Sequence, residues 1–175
     1  MTDQDREAEQ QRRMGGWMYI GFWILLLVFV AMFFSRWLDH QRNPNQQVAS
    51  RIDGDGVREV VLKRNRMGHY NVTGDINGHS VEFMLDTGAT DIAIPASIAT
   101  DLGLQRLGRM QFETANGIAE GYATRLHEVR VGNIVLHDLA ASINPNMNDD
   151  IVLLGMSFLK KIEFTQRGDS LILRQ

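Results

Sequence analysis

The chain of 175 residues contains no cysteine. Disulfides and thiolate metal sites are therefore excluded, and the redox compartment stays open. A dominant charge of one sign is also missing. The 18 Lys and Arg against 21 Asp and Glu leave a net charge of -3, which gives no reason to expect nucleic acid as a partner. No internal repeat recurs at a fixed period. The chain has no Gly-x-Ser-x-Gly, no His-Glu-x-x-His and no phosphate-binding loop. What remains is an ordinary globular composition, 44% hydrophobic and 22% charged, at a length that suits one domain plus appendages.

One stretch lacks charge altogether. "GGWMYIGFWILLLVFVAMFF" (15–34) is about long enough to cross a bilayer as a helix. Trp17, Tyr19 and Trp37 lie near its ends, where amphipathic rings favour the membrane interface. It has no polar face, which argues against a buried core helix. The bulky and charged "SRWLDHQR" that follows is unlike the small residues of a signal-peptide cleavage site. These features predict an uncleaved membrane anchor over 15–37 in a lipid bilayer. Arg12 and Arg13 before it nearly balance Arg36 and Arg42 after it, so the positive-inside rule decides little. The paired arginines and the short leading tail lean towards a cytoplasmic N-terminus, with the remainder translocated. The polar stretch 1–14 reads as a mobile tail. Residues 38–56, rich in Asn, Gln, Asp and Gly and containing Pro44, read as a tether.

From 57 to 175 the pattern is one of short strands. "REVVLKRN" is a candidate first strand. "HYNVTGDINGHSVEFML" alternates around Asn77-Gly78, a strong hairpin signal. "DIAIP" is a strand ended by Pro95, and "ASIATDLGL" a short helix stopped near Gly103. Several strands follow, with turns at Asn116-Gly117 and Gly132-Asn133. "DIVLLGMSFLKK" is an apolar run reaching Gly155, then a helical turn, and a last hairpin turns at Gly168-Asp169. The expectation is an all-β domain, closed or sandwich-like, with one or two short helices.

The chemistry-bearing stretch is "FMLDTGAT" (83–90). An Asp at a strand end commonly caps a turn, and Asp-Thr-Gly alone is weak evidence of anything more. Its context also meets the needs of a positioned carboxylate. The apolar run before Asp86 would hold its backbone in a sheet, Gly88 allows close approach, and the Thr87 hydroxyl can tie the loop to a partner.

The chain resembles the retropepsin-like aspartic proteases, and most closely their bacterial membrane-anchored branch. "FMLDTGATDIAIP" resembles the family's catalytic loop, "TANGIAEGY" the flap of that branch, and "IVLLGMSFL" the second signature. The resemblance covers residues 68–175 and implies a small closed β fold and an aspartic endopeptidase without cofactor or metal. Asp86 would be catalytic, with Thr87, Gly88 and Ala89 supporting the loop, Leu154 and Gly155 beneath it, and Asn116 and Gly117 at the flap tip. Two carboxylates about 3 Å apart cannot both ionise cheaply, so they share a proton. The ionised one takes a proton from water while the protonated one supports the peptide carbonyl. The sequence holds a single Asp-Thr-Gly, so the resemblance implies a homodimer with Asp86 from each copy meeting on a two-fold axis. It also implies a single-pass protein of the bacterial inner membrane with a periplasmic domain acting on polypeptides. The alternative is a catalytically silent, membrane-tethered binding or dimerisation module of the same fold. A third reading is a protease that cuts its own tether near Arg51.

Other residues carry less. His69 and His79 flank the Asn77-Gly78 turn and could approach each other, but no third ligand is evident. Asp149-Asp150 reads as a solvated loop, Arg167-Gly168-Asp169 as a turn, and Met84 and Ile94 as core. Tyr122 is a candidate flap aromatic without a firm place.

Overall fold

The computed structural model describes residues 3–114, 117–147 and 150–175. The chain divides into two units, Met1–Asp39 and His40–Gln175. Helix α1 (Asp3–Arg42) makes up the first and enters the second. The stretch expected as a tail is thus helical from Asp3, in keeping with its Glu, Gln, Arg and Ala content. Within α1 the segment Met18–Arg42 is long and apolar enough to cross a membrane, with an 18-residue stretch of mean hydropathy 2.3, none of it buried.

The second unit is built from two sheets. A four-stranded antiparallel sheet has the order β1 (Ala49–Ile52), β2 (Arg58–Lys63), β11 (Ser170–Arg174), β10 (Glu163–Arg167). The larger sheet runs β3 (Asn71–Ile76), β4 (His79–Leu85), β9 (Val152–Leu154), β5 (Ile92–Pro95), β8 (Ile134–Asn144), β7 (Gly117–Val131), β6 (Gly108–Thr114). A further pairing of β3 with β7 closes this sheet into a barrel, and β6 extends from β7 as a hairpin arm. Two short helices complete the unit, α2 (Ala96–Asp101) and α3 (Met156–Leu159). The fold class expected from the sequence is the one observed.

Closure depends on Gly74. A Cβ there would collide with the Arg130 carbonyl oxygen and meet the Phe83 ring at 3.0 Å, so only glycine lets β3 lie against β7. Val60, Leu62, Val72, Ile76, Phe83, Leu126, Ile143 and Leu154 are fully or almost fully buried in the core. Ile94 is buried as expected, whereas Met84 is only half-buried. The hairpin from β3 to β4 turns at Asn77-Gly78, with φ of 52° and 83°, as a type I′ turn requires.

Residues 38–56, read from composition as a tether, carry defined structure. Asn43 and Asn45 are buried. Asn45 Oδ1 accepts from the Lys63 N–H at 2.7 Å, and its Nδ2 donates to the Lys63 and Asn71 carbonyls at 2.9 and 2.7 Å. One amide thus stands in for a peptide group between β2 and β3, because asparagine carries both donor and acceptor. Ala49–Ile52 then pairs with β2, so Arg51 lies in a strand rather than in a free linker.

The outer face of the four-stranded sheet carries a row of alternating charge. Arg51 lies opposite Glu59, Glu59 opposite Arg174, and Arg174 opposite Glu163. The Glu59 side chain is 1% exposed, with Arg51 Nη2 at 2.5 Å and Arg174 Nη2 at 2.7 Å. Hydrogen bonding from Arg174 holds the Glu59 carboxyl below its ordinary range; burial opposes that shift and Arg51 adds to it.

Candidate active site

Asp86 directly follows β4, at the point where the chain must pass around the end of β9. Strand β9 lies between β4, its parallel neighbour, and β5, which it meets at Ala93 opposite Leu153. Residues 86–91 therefore loop over the end of β9 from one neighbour to the other. The loop is tied down on both sides. The Asp86 N–H donates to the Leu154 carbonyl at 3.2 Å. The Ala89 and Thr90 carbonyls accept from the Met156 and Ser157 N–H groups at 2.8 and 3.0 Å.

Gly155 makes that close approach possible. A Cβ at this position would collide with the Asp91 carbonyl oxygen and come within 2.6 Å of the Ala89 carbonyl oxygen. The loop can lie on the β9–α3 junction only because no side chain stands there. Leu154 and Gly155 are both buried beneath the loop.

The Asp86 side chain is half-buried, while Thr87 and Gly88 are exposed. The Gly88 N–H donates to Asp86 Oδ1 at 2.9 Å, and the Ala89 N–H to the Asp86 carbonyl at 3.3 Å. That bond orients one oxygen of the carboxylate. It opens onto a cavity of about 290 Å³, lined also by Tyr70, Leu85, Thr87, Leu159 and Phe164.

Ser157 was not singled out in the sequence. Its hydroxyl accepts from the Ile92 N–H at 3.1 Å and donates to the Ala140 carbonyl at 2.9 Å. It thus joins α3 to β5 and β8 at the far end of the loop. The only local signal is a hydroxyl residue two places after Gly155, which by itself reads as a helix-start residue.

The structure brings Asp86, Thr87, Gly88, Ala89, Leu154 and Gly155 together. Of the expected flap tip, Asn116 lies outside the described residues, and Gly117 starts β7 opposite Thr114. Lower on the same hairpin, Tyr122 lies under the Arg106 guanidinium at 4.6 Å. A second cavity of about 670 Å³ is lined by Arg109, Met110, Gln111, Glu120, Tyr122 and Pro145, among others. His69 lies in the loop before β3, bonded to Asn65, and His79 opens β4 opposite Ile76. Among the described residues no cluster of His, Asp and Glu could hold a metal ion. Asp149 lies outside the described residues and Asp150 is exposed. Gly168-Asp169 forms the turn between β10 and β11.

Comparison with known proteins agrees with this geometry. The family described as "gag-polyprotein putative aspartyl protease" matches residues 72–161, which include the whole loop and the strand beneath it. An uncharacterised protein from the cobV 5′ region of Sinorhizobium sp is 35% identical over 126 residues, covering 70% of this chain and 54% of the relative. An uncharacterised protein of Rickettsia prowazekii is 33% identical over 122 residues, covering 67% of this chain and 52% of the relative. The chain thus spans about half the length of the curated relatives it matches. The crystal structure of a retropepsin-like aspartic protease from Rickettsia conorii aligns with a TM-score of 0.58 at 30% identity, covering 73% of this chain and 95% of that one. With its Asp-Thr-Gly loop pinned over β9 and matched on both criteria, this chain belongs to the retropepsin-like aspartic protease family.

Proposed function

We propose that the protein is an aspartic endopeptidase whose catalytic pair is Asp86 from two copies of the chain. The observation that carries this reading is the built loop. Asp86 is oriented by the Gly88 N–H, is half-exposed to a cavity, and sits in a loop fixed by backbone bonds to Leu154, Met156 and Ser157. A turn-capping aspartate needs no such support from beneath.

One copy supplies one carboxylate, and the reaction needs two protonation states at once. Two Asp86 groups about 3 Å apart would share a proton. The ionised carboxylate takes a proton from water as it attacks the peptide carbonyl. The protonated one donates to the carbonyl oxygen as negative charge develops there. Collapse of the resulting gem-diol breaks the C–N bond, with a proton passing to the leaving nitrogen. The Thr87 hydroxyl, exposed beside the pair, would bond across the dimer. The β6–β7 hairpin would close over an extended substrate.

Residues 15–37 would anchor the protein as a single span of a bacterial inner membrane, with residues 57–175 in the periplasm. Support comes from the exposed apolar length of α1 and from the bacterial origin of the relatives. Confinement to a plane raises the effective concentration of monomers and favours a weak dimer.

The test is Asp86→Asn in the full chain, purified in detergent and assayed on a peptide library. The amide keeps the shape and removes the shared proton. Cleavage should fall by roughly 10²–10⁴-fold, the usual worth of general acid–base catalysis. A variant that cleaves as well as the parent overturns the assignment.

A further inference from the structure

We propose that loop 65–69 is a second membrane contact, with Arg66 on the phosphates of anionic phospholipids and Met67 in the acyl boundary beneath them. The proposal rests on the membrane anchoring of α1 proposed above and adds a lipid-binding surface on the β domain itself.

The loop is built rather than loose. Asn65 is buried, and its Oδ1 accepts from the Met67 and His69 N–H groups at 2.9 Å each. Its backbone N–H donates to the His69 carbonyl at 2.8 Å, and Gly68, with φ of 89°, closes the turn. Asn65 Nδ2 donates to the Arg42 carbonyl at 3.0 Å, and Arg66 Nη1 to Gln41 Oε1 at 2.8 Å. Gln41 and Arg42 are the last residues of α1, and they belong to the same unit as the loop. The tip is thus held against the point where the chain leaves the helix.

What the tip presents suits a boundary between phosphate and hydrocarbon. From Lys63 to Tyr70 the chain reads "KRNRMGHY", with three cations and no carboxylate. Arg66, Met67 and Gly68 are all exposed. Met67 is 71% exposed, the highest value for a large hydrophobic side chain outside α1 among the described residues. A single exposed methionine is ordinary on a protein surface. This one stands beside a guanidinium that has no ion-pair partner among the described residues. Arg42, half-exposed, reaches Glu82 only at 4.0 Å. Arg64 is spent elsewhere, over the Tyr70 ring and towards Asp169. Arg66 and Arg42 are therefore the cations left for an outside partner.

Distance sets the loop at the level of the headgroups. Trp37, near the end of the apolar segment, is the ring that favours the interface. Gln41 follows it by four residues of α1, about 6 Å of helix rise. The headgroup layer is about 5–8 Å thick on each side of the hydrocarbon. The residue that Arg66 bonds to thus lies among lipid phosphates. A guanidinium matches phosphate oxygens in bidentate geometry. The unbranched, flexible methionine side chain fills irregular apolar gaps. Zwitterionic headgroups carry phosphate too, but their own cation competes for it, so the arginines select a bilayer of net negative charge.

The absence of cysteine makes the test direct. Full-length Met67→Cys, with a polarity-sensitive fluorophore on its one thiol, is placed in lipid nanodiscs of phosphatidylglycerol or of phosphatidylcholine. Nitroxide-labelled lipid should quench the probe several-fold more strongly in phosphatidylglycerol. Adding Arg66→Glu should remove most of that difference, while Arg66→Lys, which keeps the charge, should retain most of it. Neither change touches Asn65, which shapes the loop. Equal quenching in the two lipids overturns the proposal. So does a difference that survives Arg66→Glu, since the label alone then draws the loop in. Leu27→Cys, in the middle of the apolar run, reports the anchor separately and should be quenched in both lipids. A quenched probe at 27 with an unquenched one at 67 sinks the lipid contact and leaves the anchor standing. If neither is quenched, the anchor reading fails and this contact fails with it.

Discussion

The two sheets of the domain are held together by different means. The barrel closes on itself through β3 and β7, buries Phe83, Ile92, Ile94 and Ile143, and needs Gly74 for its backbones to meet. The four-stranded sheet stays open at both ends, and its outer face carries the row Arg51, Glu59, Arg174, Glu163. Burial of apolar surface is non-directional and strong, which suits a part that must hold the Asp86 loop rigidly. Charge rows are weaker and directional, and here they fix the register of β1, β2, β11 and β10.

The contrast is most easily broken at the barrel. Phe83→Ala removes a wholly buried ring of β4 that lies against Gly74 of β3 and should cost about 3–5 kcal/mol. Denaturant unfolding checks this, and a loss below about 1 kcal/mol would mean that the core collapses around the gap.

Gly155→Ala acts where barrel and site meet. The new methyl has backbone oxygens on two sides, so the loop must move, at a cost of about 1–3 kcal/mol. Peptide cleavage should fall further than the stability loss alone explains, because Asp86 is displaced. Cleavage at the parental rate would show that the loop is not held by this junction.

The open sheet gives the smallest effect, and a pH dependence. The Glu59 carboxyl titrates below its ordinary range in the folded chain, chiefly through Arg174. The ion pairs therefore stabilise the fold above the unfolded value of about 4.3. That contribution is lost as pH falls through the lower folded value. Glu59→Gln should be less stable than the parent at neutral pH, and the gap should close below about pH 4. A gap that persists unchanged into acid would assign the effect to packing instead.

Much of this molecule could be read from local sequence. Asn77-Gly78 marks its hairpin because few other dipeptides accept left-handed backbone at both positions. The apolar run in α1 announces itself by length. The family was legible only from a set of stretches, the Asp86 loop with "IVLLG" far downstream. Other features were not legible. Asn45 looked like linker composition, yet its amide completes the gap between β2 and β3. Ser157 looked like any hydroxyl at a helix start until Ile92 and Ala140 came to it.

By itself, then, the order of residues determined the strand pattern, the turns and the apolar helix, since each depends on neighbours within a few positions. The fold decided that β9 runs between β4 and β5, that Gly155 must carry no side chain, and that Arg51, Glu59, Arg174 and Glu163 form one row across four strands. Those facts depend on pairings between distant segments, and a pairing leaves no mark on either segment until the backbones meet.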